Sequence, residues 1–231
     1  NREKIEAAKE KFGILLEEQL ARVEKMKNEA DFVDYSKLDK IIIGVTGGDG
    51  IGPAITREAE RVLEYLLKDE IASGKVEIRD IPGLTIEHRV ECMQAVPDDV
   101  MDELKKCHVI LKGPTTTPRK GDPWPNIESA NVAMRKELDL FANVRPVKVP
   151  EQGIDWVFYR ENTEGAYAVG SKGAVVDEDL SVDFTVVTSQ GTERVIRAAF
   201  DFAAKNGRTR VTAVTKANII KATDGKFLDI F

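Results

Sequence analysis

Short, continuously apolar runs alternate with amphipathic stretches over the first half of the chain. Residues 40–45 (KIIIGV) and 108–112 (HVILK) are typical of strands buried on both faces of a parallel sheet, and residues 75–80 (KVEIRD) alternate like a half-buried strand. Helical patterns occupy residues 53–68 and 97–106. This alternation predicts an α/β architecture, in which ligands lie beyond the carboxyl ends of the strands.

The second half of the chain shows the same kinds of pattern with longer interruptions. Residues 175–183 are acidic and predict a loop, and the pair Asn206-Gly207 predicts the end of a helix. Helical spacing predicts helices at residues 129–140 and 192–205, and a further one from near Ile219. Apolar runs predict strands at residues 141–149, 155–159 (DWVFY), 184–189 (FTVVTS) and 210–215 (RVTAVT).

The N-terminal residues 1–28 are rich in Glu, Lys, Ala and Leu and contain no proline. Apolar positions such as Ile5, Phe12, Leu15 and Val23 recur at helical spacing, which predicts one amphipathic helix or two. We expect this helix to lie on its own domain or on a second subunit. An arm that binds another partner is the alternative.

Composition narrows the classes of function. The chain has 231 residues, 42% apolar and 32% charged residues and a net charge of -6, as in a soluble globular protein without general affinity for nucleic acid or membrane surfaces. No apolar run approaches the roughly 20 residues of a membrane helix, and no signal peptide opens the chain. Cys92 and Cys107 lack the CxxC spacing, so a reducing cytoplasm is the expected location.

Two loops follow predicted strands at the edge where ligands bind. Gly48, Gly50 and Gly52 alternate, and no glycine stands three residues after Gly50, so the Rossmann fingerprint is not met. This segment predicts a tight strand-to-helix turn, with cofactor contact as the alternative. Residues 113–118 (GPTTTP) follow the next strand, and their hydroxyls and amides could hold a ribose, an amide or a carboxylate, or form an ordinary polar loop.

The candidate chemistry concentrates in residues 128–167. Arg135, Arg145 and Arg160 lie among buried-looking segments, and guanidinium groups bind carboxylates in bidentate pairs. Several of them converging would suit a di- or tricarboxylate, whereas separate structural ion pairs are the alternative. Three further polar side chains belong to this stretch: Ser129 and Asn131 at the start of a predicted helix, and Tyr167.

Five motifs resemble the isocitrate and isopropylmalate dehydrogenase family in collinear order. They are GGDGIGP, KGPTTTP, SANVAMRKELDLFANVRPVK, RENTEGAY and TKANIIK, and the resemblance covers about residues 40–231. It implies the isopropylmalate dehydrogenase-like fold, an α/β fold whose mixed sheet is flanked by helices and which is not a Rossmann fold, incomplete here at the C-terminus. The implied organisation is an N-terminal helical extension (1–39), part of a large α/β domain (40–140) and part of a small dimerisation domain (141–231).

The resemblance also implies a role for each candidate residue. Ser129 and Asn131 would hold the γ-carboxylate of the substrate, and the order S-x-N-x-x-x-R resembles isocitrate dehydrogenase within the family. Tyr167 would protonate the enolate after decarboxylation. Arg135, Arg145 and Arg160 would bind the α- and β-carboxylates of the substrate. Lys112, Thr116 and Thr117 would border the substrate and the nicotinamide ribose. Lys216 from a partner subunit would assist proton removal, and Asn218 would lie near the nicotinamide.

The resemblance implies NAD or NADP as cofactor, Mg²⁺ or Mn²⁺ as metal, and a homodimer. The family's metal-binding aspartates would lie beyond Phe231, so no metal ligand is assigned here and this chain alone is expected to be inactive. Thr115 and the segment RKGDPWPNIE depart from the family pattern.

Other readings remain open within and outside this family. The substrate could instead be homoisocitrate, isopropylmalate or tartrate. A non-catalytic regulatory subunit is a further alternative, although such subunits often lose the tyrosine and lysine present here as Tyr167 and Lys216. A scaffold domain would not explain why the three arginines are retained.

Overall fold

The computed structural model describes residues 2–28, 33–170 and 172–231, with the side chain of Ala168 left out. Its helices are α1 (Arg2–Lys27), α2 (Gly52–Leu66), α3 (Lys68–Ala72), α4 (Ile86–Glu91), α5 (Asp98–Leu104), α6 (Ala130–Glu137), α7 (Ala166–Val169), α8 (Ser189–Lys205) and α9 (Thr223–Ile230). Its strands are β1 (Ile41–Thr46), β2 (Val76–Asp80), β3 (Val109–Lys112), β4 (Ala142–Val149), β5 (Ile154–Glu161), β6 (Ala174–Val175) and β7 (Ser181–Val182).

The described residues form two compact units, Phe32–Leu138 and the combination of Asn1–Asp31 with Asp139–Phe231. We call them the sheet unit and the hairpin unit. Helix α1 therefore groups with the C-terminal segment. The division of the whole protein into residues 1–39, 40–140 and 141–231 stays a prediction.

A parallel sheet in the order β2-β1-β3 forms the centre of the sheet unit. Ile43 pairs with Ile78 on one side and with Val109 on the other, so all three strands end at the same edge. The core beside the sheet includes the fully buried Leu104, and burying such a side chain contributes roughly 1.5–3 kcal/mol. Strand positions, parallel pairing and flanking helices confirm the predicted α/β class.

Strands β4 and β5 form an antiparallel hairpin in the hairpin unit. A 3-10 turn at Pro150–Gln152 joins them and ends at Gly153, whose φ of 64° is the left-handed conformation that glycine adopts without strain. One hairpin face packs on α8, where the rings of Tyr159 and Phe202 lie 5.6 Å apart. The opposite face carries large exposed side chains, described below.

Helix α1 is a single helix, and it packs within the hairpin unit. Leu15 is buried, and the ring of Phe12 stacks on Phe184 at 4.8 Å. Near the C-terminal end of the helix, Arg22 forms an ion pair of 2.9 Å with the buried carboxylate of Glu164. The expectation that this helix lies on its own domain therefore holds for these residues.

Two predicted strands in the hairpin unit are wrong. Residues 184–189 make only the isolated bridge between Gly165 and Val186, because the Thr188 side chain caps α8 and its backbone N–H donates to the Glu164 carboxylate. The local cap and the hydrogen bond to a carboxylate 24 residues away have replaced ladder bonds there. Residues 175–183, predicted as a loop, include parts of the short β6–β7 pair.

The second wrong strand is residues 210–215, which pair with no strand among the described residues. Val214 is 87% exposed, although the apolar run predicted burial. A strand needs a hydrogen-bonded neighbour, and an apolar sequence alone does not supply one. The helix expected near Ile219 begins instead at Thr223, because a turn in which Ile219 and Ile220 donate to the Lys216 carbonyl comes first.

No helix among the residues described by the structure combines the length and apolar character needed to cross a membrane. Both cysteines are free, Cys92 exposed and Cys107 half-buried. The predicted cytoplasmic location stays a prediction.

Candidate active site

The glycine-rich turn after β1 packs directly against the loop after β3. A Cβ atom at Gly48 would collide with the carbonyl oxygen of Pro114, and one at Gly113 with the carbonyl oxygen of Gly47. The backbone N–H of Asp49 also donates to Pro114 at 2.7 Å. The protein itself therefore fills the space beside Gly48, which supports the interpretation as a tight strand-to-helix turn.

Asp49 joins three loops at the carboxyl edge of the sheet, and the sequence analysis missed it. One carboxylate oxygen accepts from the N–H of Ile86 and the other from the N–H of Thr116, both at 2.6 Å. Carboxylate oxygens that accept backbone N–H groups form strong, short hydrogen bonds. An acidic residue inside a glycine turn at a strand end is the signal that could have identified it.

Arg89, in α4, is the second missed residue of the sheet unit. It is fully buried, and its guanidinium donates to the carbonyls of Ala95 (2.7 Å), Thr116 (2.7 Å) and Glu128 (3.0 Å). Burial lowers the pKa of the Arg89 guanidinium, and the negative charge of Asp49 opposes that shift. Nothing in the local sequence pattern distinguishes this arginine from a surface one.

Lys112 ends β3 and holds the threonine loop. Its ammonium donates to the carbonyl of Gly113 at 2.7 Å and to the hydroxyl of Thr115 at 3.1 Å. Burial lowers the pKa of Lys112, and the cations of Arg89 and Arg135 lower it further while Asp49 opposes them. Thr115, a departure from the family pattern, therefore has a defined partner.

The remaining candidates of the sheet unit flank this lysine in sequence. Thr116 is half-buried with both its backbone groups bonded, as described above, and Thr117 is exposed. Ser129 occupies the N-cap position of α6 with extended backbone, but its side chain makes no capping hydrogen bond. Asn131 and Arg135, both half-buried, lie four residues apart on α6 and so share a face.

The β4–β5 hairpin places two of the predicted arginines on one face. Arg160 pairs with Asn143, and Arg145 follows Asn143 by two residues, so Arg145 and Arg160 are diagonal neighbours separated by about 7–8 Å at the backbone. Arg145 donates to the Asn143 side-chain oxygen at 2.9 Å. The guanidinium carbon of Arg160 lies 4.8 Å from the ring centre of Tyr167, as a cation–π contact requires.

Two carboxylates, one half-buried and one buried, support the backbone that leads to Tyr167. Glu161 accepts from the N–H groups of Thr163 and Glu164 and from the Thr163 hydroxyl. Glu164, 4% exposed, accepts from both the N–H and the hydroxyl of Thr188 and from Arg22. Glu161, Thr163 and Glu164 of the RENTEGAY motif thus have structural roles, and sequence reasoning missed those of Glu161 and Glu164.

Lys216 and Asn218 are exposed and lie in the turn that precedes α9. The carboxylate of Asp224 accepts from the backbone N–H of Lys216 at 2.6 Å, and the Thr215 hydroxyl donates to the Asp224 carbonyl. These two hydrogen bonds join Asp224 to the start of the turn and close it, while the Lys216 side chain is exposed.

The structure groups the predicted residues within two sets. The sheet unit brings together Lys112, the threonine loop and the start of α6, and the hairpin unit brings together Arg145, Arg160 and Tyr167. The roles assigned to all of them, and the joint action of Arg135 with the hairpin arginines, stay predictions. Within residues 2–28, 33–170 and 172–231, no three His, Cys, Asp or Glu side chains cluster as metal ligands would.

Comparison with known proteins identifies the family. The family model for isocitrate/isopropylmalate dehydrogenase matches residues 42–231, so the chain belongs to that family. This confirms the resemblance carried by the five motifs.

Individual relatives are similar at moderate identity. A homoisocitrate dehydrogenase of Methanocaldococcus jannaschii is 35% identical over 207 residues, which are 81% of this chain and 55% of the relative. Isocitrate dehydrogenase [NAD] regulatory subunit 1, mitochondrial, of Arabidopsis thaliana is 39% identical over 188 residues, 79% of this chain and 46% of that protein. The chain spans about half the length of the curated relatives it matches.

A solved structure shows the same fold. The isocitrate dehydrogenase from Methylococcus capsulatus superposes with a TM-score of 0.67 at 34% sequence identity, covering 82% of this chain and 55% of that one. The predicted isopropylmalate dehydrogenase-like fold is thereby confirmed.

Proposed function

We propose that this chain binds isocitrate and NAD or NADP as part of an enzyme that oxidises and decarboxylates isocitrate to 2-oxoglutarate. The observation that carries the proposal is the face of the hairpin where Arg145 and Arg160 are neighbours and Arg160 lies over Tyr167. Two guanidinium groups beside a phenol suit an acid that carries several carboxylates and must receive a proton.

Each side chain then has a defined task. Arg135, Arg145 and Arg160 bind the α- and β-carboxylates, and Ser129 and Asn131 bind the γ-carboxylate. The hydroxyl of Ser129, which makes no capping hydrogen bond at the start of α6, is available for this contact, and the N–H groups at the N-terminal end of a helix favour a negative group. Lys112 borders the acid; its pKa is lowered chiefly by burial, and the cations of Arg89 and Arg135 lower it further.

The reaction balances with these groups. Lys216 of a second copy helps to remove the hydroxyl proton while the hydrogen on C2 departs as hydride. Thr116 and Thr117 would hold the ribose of NAD or NADP and Asn218 its nicotinamide, and the bound cofactor would supply the hydride acceptor. The bond to the β-carboxylate then breaks and carbon dioxide leaves. Tyr167 donates a proton to the carbon that carried the carboxylate.

The family resemblance also implies Mg²⁺ or Mn²⁺, but the described residues do not fit such a site. They contain no group of three acidic, histidine or cysteine side chains that could ligate a metal. No step above is therefore assigned to a metal.

A homodimer agrees with the exposed hairpin face. Val147, Trp156 and Phe158 lie on the same face of the hairpin as Arg145 and Arg160, and they are 38%, 57% and 47% exposed. Large apolar side chains clustered on one face are typical of a protein interface. A second copy of the chain is the occupant that would also supply Lys216.

A second candidate function is that of a regulatory subunit, which the similarity to the Arabidopsis thaliana regulatory subunit favours. Tyr167 and Lys216 are both present here, which favours catalysis. Homoisocitrate, isopropylmalate and tartrate remain the alternative substrates, and the first is the substrate in the name of the Methanocaldococcus jannaschii relative.

Isothermal titration tests the proposal. We expect isocitrate to bind more tightly than homoisocitrate, isopropylmalate or tartrate, and Arg145→Met or Arg160→Met to weaken it at least about tenfold, since a charged hydrogen bond contributes about 1.5–3 kcal/mol. Arg197→Met is the matched control, because Arg197 lies on the exposed face of α8 in an ion pair with Glu193. Equal affinity in the hairpin variants and the control would remove the hairpin arginines from the site.

A further inference from the structure

Arg89 makes an unusual set of contacts for a buried arginine. Its three guanidinium nitrogens each donate to the carbonyl oxygen of a different segment, at Ala95, Thr116 and Glu128. Its side chain is fully buried, and within the described part of the chain its guanidinium donates to backbone oxygens alone. Removing a charge from water costs free energy, so such an arrangement persists where geometry requires a rigid donor.

Two of these carbonyls bracket one excursion of the chain. Thr116 precedes residues 117–127 and Glu128 follows them, so the guanidinium ties the two ends of that segment together. The segment includes most of RKGDPWPNIE, which departs from the family pattern. Because Arg89 holds both ends of the segment, the sequence between them can differ from that of relatives without moving the ends.

The same carbonyls adjoin candidate site residues. The backbone of Thr116 is held on both sides, since Asp49 accepts from its N–H and Arg89 donates to its carbonyl oxygen. The carbonyl of Glu128 belongs to the peptide that leads into Ser129, the N-cap residue of α6. One side chain therefore spans the groups proposed to border the cofactor ribose and the substrate γ-carboxylate.

We infer that Arg89 is a positioning residue that holds the threonine loop in register with the start of α6, so that cofactor and acid bind side by side. We call the three hydrogen bonds of Arg89 the clasp. The identity of the ligands in this inference rests on the proposed function, whereas the clasp is a property of the folded chain and does not depend on it. Lysine has one terminal nitrogen and cannot span three carbonyls, so Arg89→Lys keeps the charge and removes the clasp.

Amide hydrogen exchange on the 231-residue chain tests the clasp. We expect exchange in residues 113–118 and 127–131 to be at least about tenfold faster in Arg89→Ala than in the wild type, because local opening becomes easier. Millimolar guanidinium chloride should restore part of the protection by filling the vacated space, whereas sodium chloride should not. Arg79→Ala is the matched control, an arginine of the same unit whose partners are the surface carboxylates of Glu77 and Glu103.

Ligand titration tests the positioning. With both Arg89→Lys and Arg89→Ala we expect the affinities for isocitrate and for NAD or NADP to fall about tenfold or more, since small misplacements of binding groups are costly. If Arg89→Ala does not fold, Arg89→Lys alone carries the test. Unchanged affinities, or exchange that guanidinium fails to slow, would overturn the inference. A wild-type chain that binds none of the acids would instead overturn the proposed function.

Discussion

The sheet unit and the hairpin unit place their candidate residues by different means. In the sheet unit, the half-buried Asp49 and the buried Arg89 bond directly to the backbone of the site loops. Asp49 accepts from the N–H of Thr116, and Arg89 donates to the carbonyl oxygen of the same residue. In the hairpin unit, Arg145 is exposed on a two-stranded ribbon, and the buried carboxylate of Glu164 comes shortly before Tyr167 in the chain.

This difference teaches where each unit is preorganised. A loop whose backbone is bonded to charged side chains on both sides keeps its shape before a ligand arrives, and preorganised donors act without further rearrangement. An exposed arginine on a ribbon keeps more rotamers, and part of its binding energy is spent in ordering it. Three substitutions test the contrast.

The largest effect is expected from Glu164→Ala. The substitution removes the acceptor of two Thr188 hydrogen bonds and leaves Arg22 without its buried partner, which typically costs about 3–5 kcal/mol. Urea unfolding should show this loss, with faster amide exchange around residues 161–167. The exposed Glu178→Ala is the control, and an equally small change in both would show that the carboxylate does not stabilise this loop.

An intermediate effect is expected from Asp49→Asn. An amide can accept with only its single oxygen, so its NH₂ group would face an N–H donor of Ile86 or Thr116, at a cost of about 1–3 kcal/mol. Amide exchange at residues 84–88 and 113–118 should become faster in this variant. The control Asp102→Asn, at an exposed position, should leave exchange at those residues unchanged. Unaltered exchange at those residues would mean that the sheet unit is no more preorganised than the hairpin.

The smallest effect is expected from the titration of Lys112. Its pKa in the folded chain is lowered, chiefly by burial, from an ordinary value of 10.5. Between those two values the unfolded chain binds more protons than the folded one, so stability rises with pH through that window. The free energy of unfolding of the wild type, relative to Lys112→Met, should therefore increase from pH 7 to pH 10. The exposed Lys68→Met should show no such trend, and a falling difference for Lys112 would contradict its burial.

Local pattern predicted the end of α8, whose cause, the pair Asn206-Gly207, lies in the neighbouring sequence. It also predicted β1 and β3 correctly, because their apolar runs fit a buried sheet, although the strands with which they pair are distant in sequence. The predicted strand at residues 184–189 failed because Thr188 caps a helix and donates to a carboxylate 24 residues away. Residues 210–215 failed because an apolar run does not specify a hydrogen-bonded partner.

The candidate site divides in the same way. Arg145, Arg160 and Tyr167 could be named from motifs, and the sequence by itself also determined the family, since several motifs in order are specific. Only the tertiary structure decided which charges hold those motifs in place. Arg22 meets Glu164 across 142 residues and Arg89 meets Glu128 across 39, and no local pattern encodes such pairs. The physical reason is burial: a charge removed from water must find its partners in space, whatever their distance along the chain.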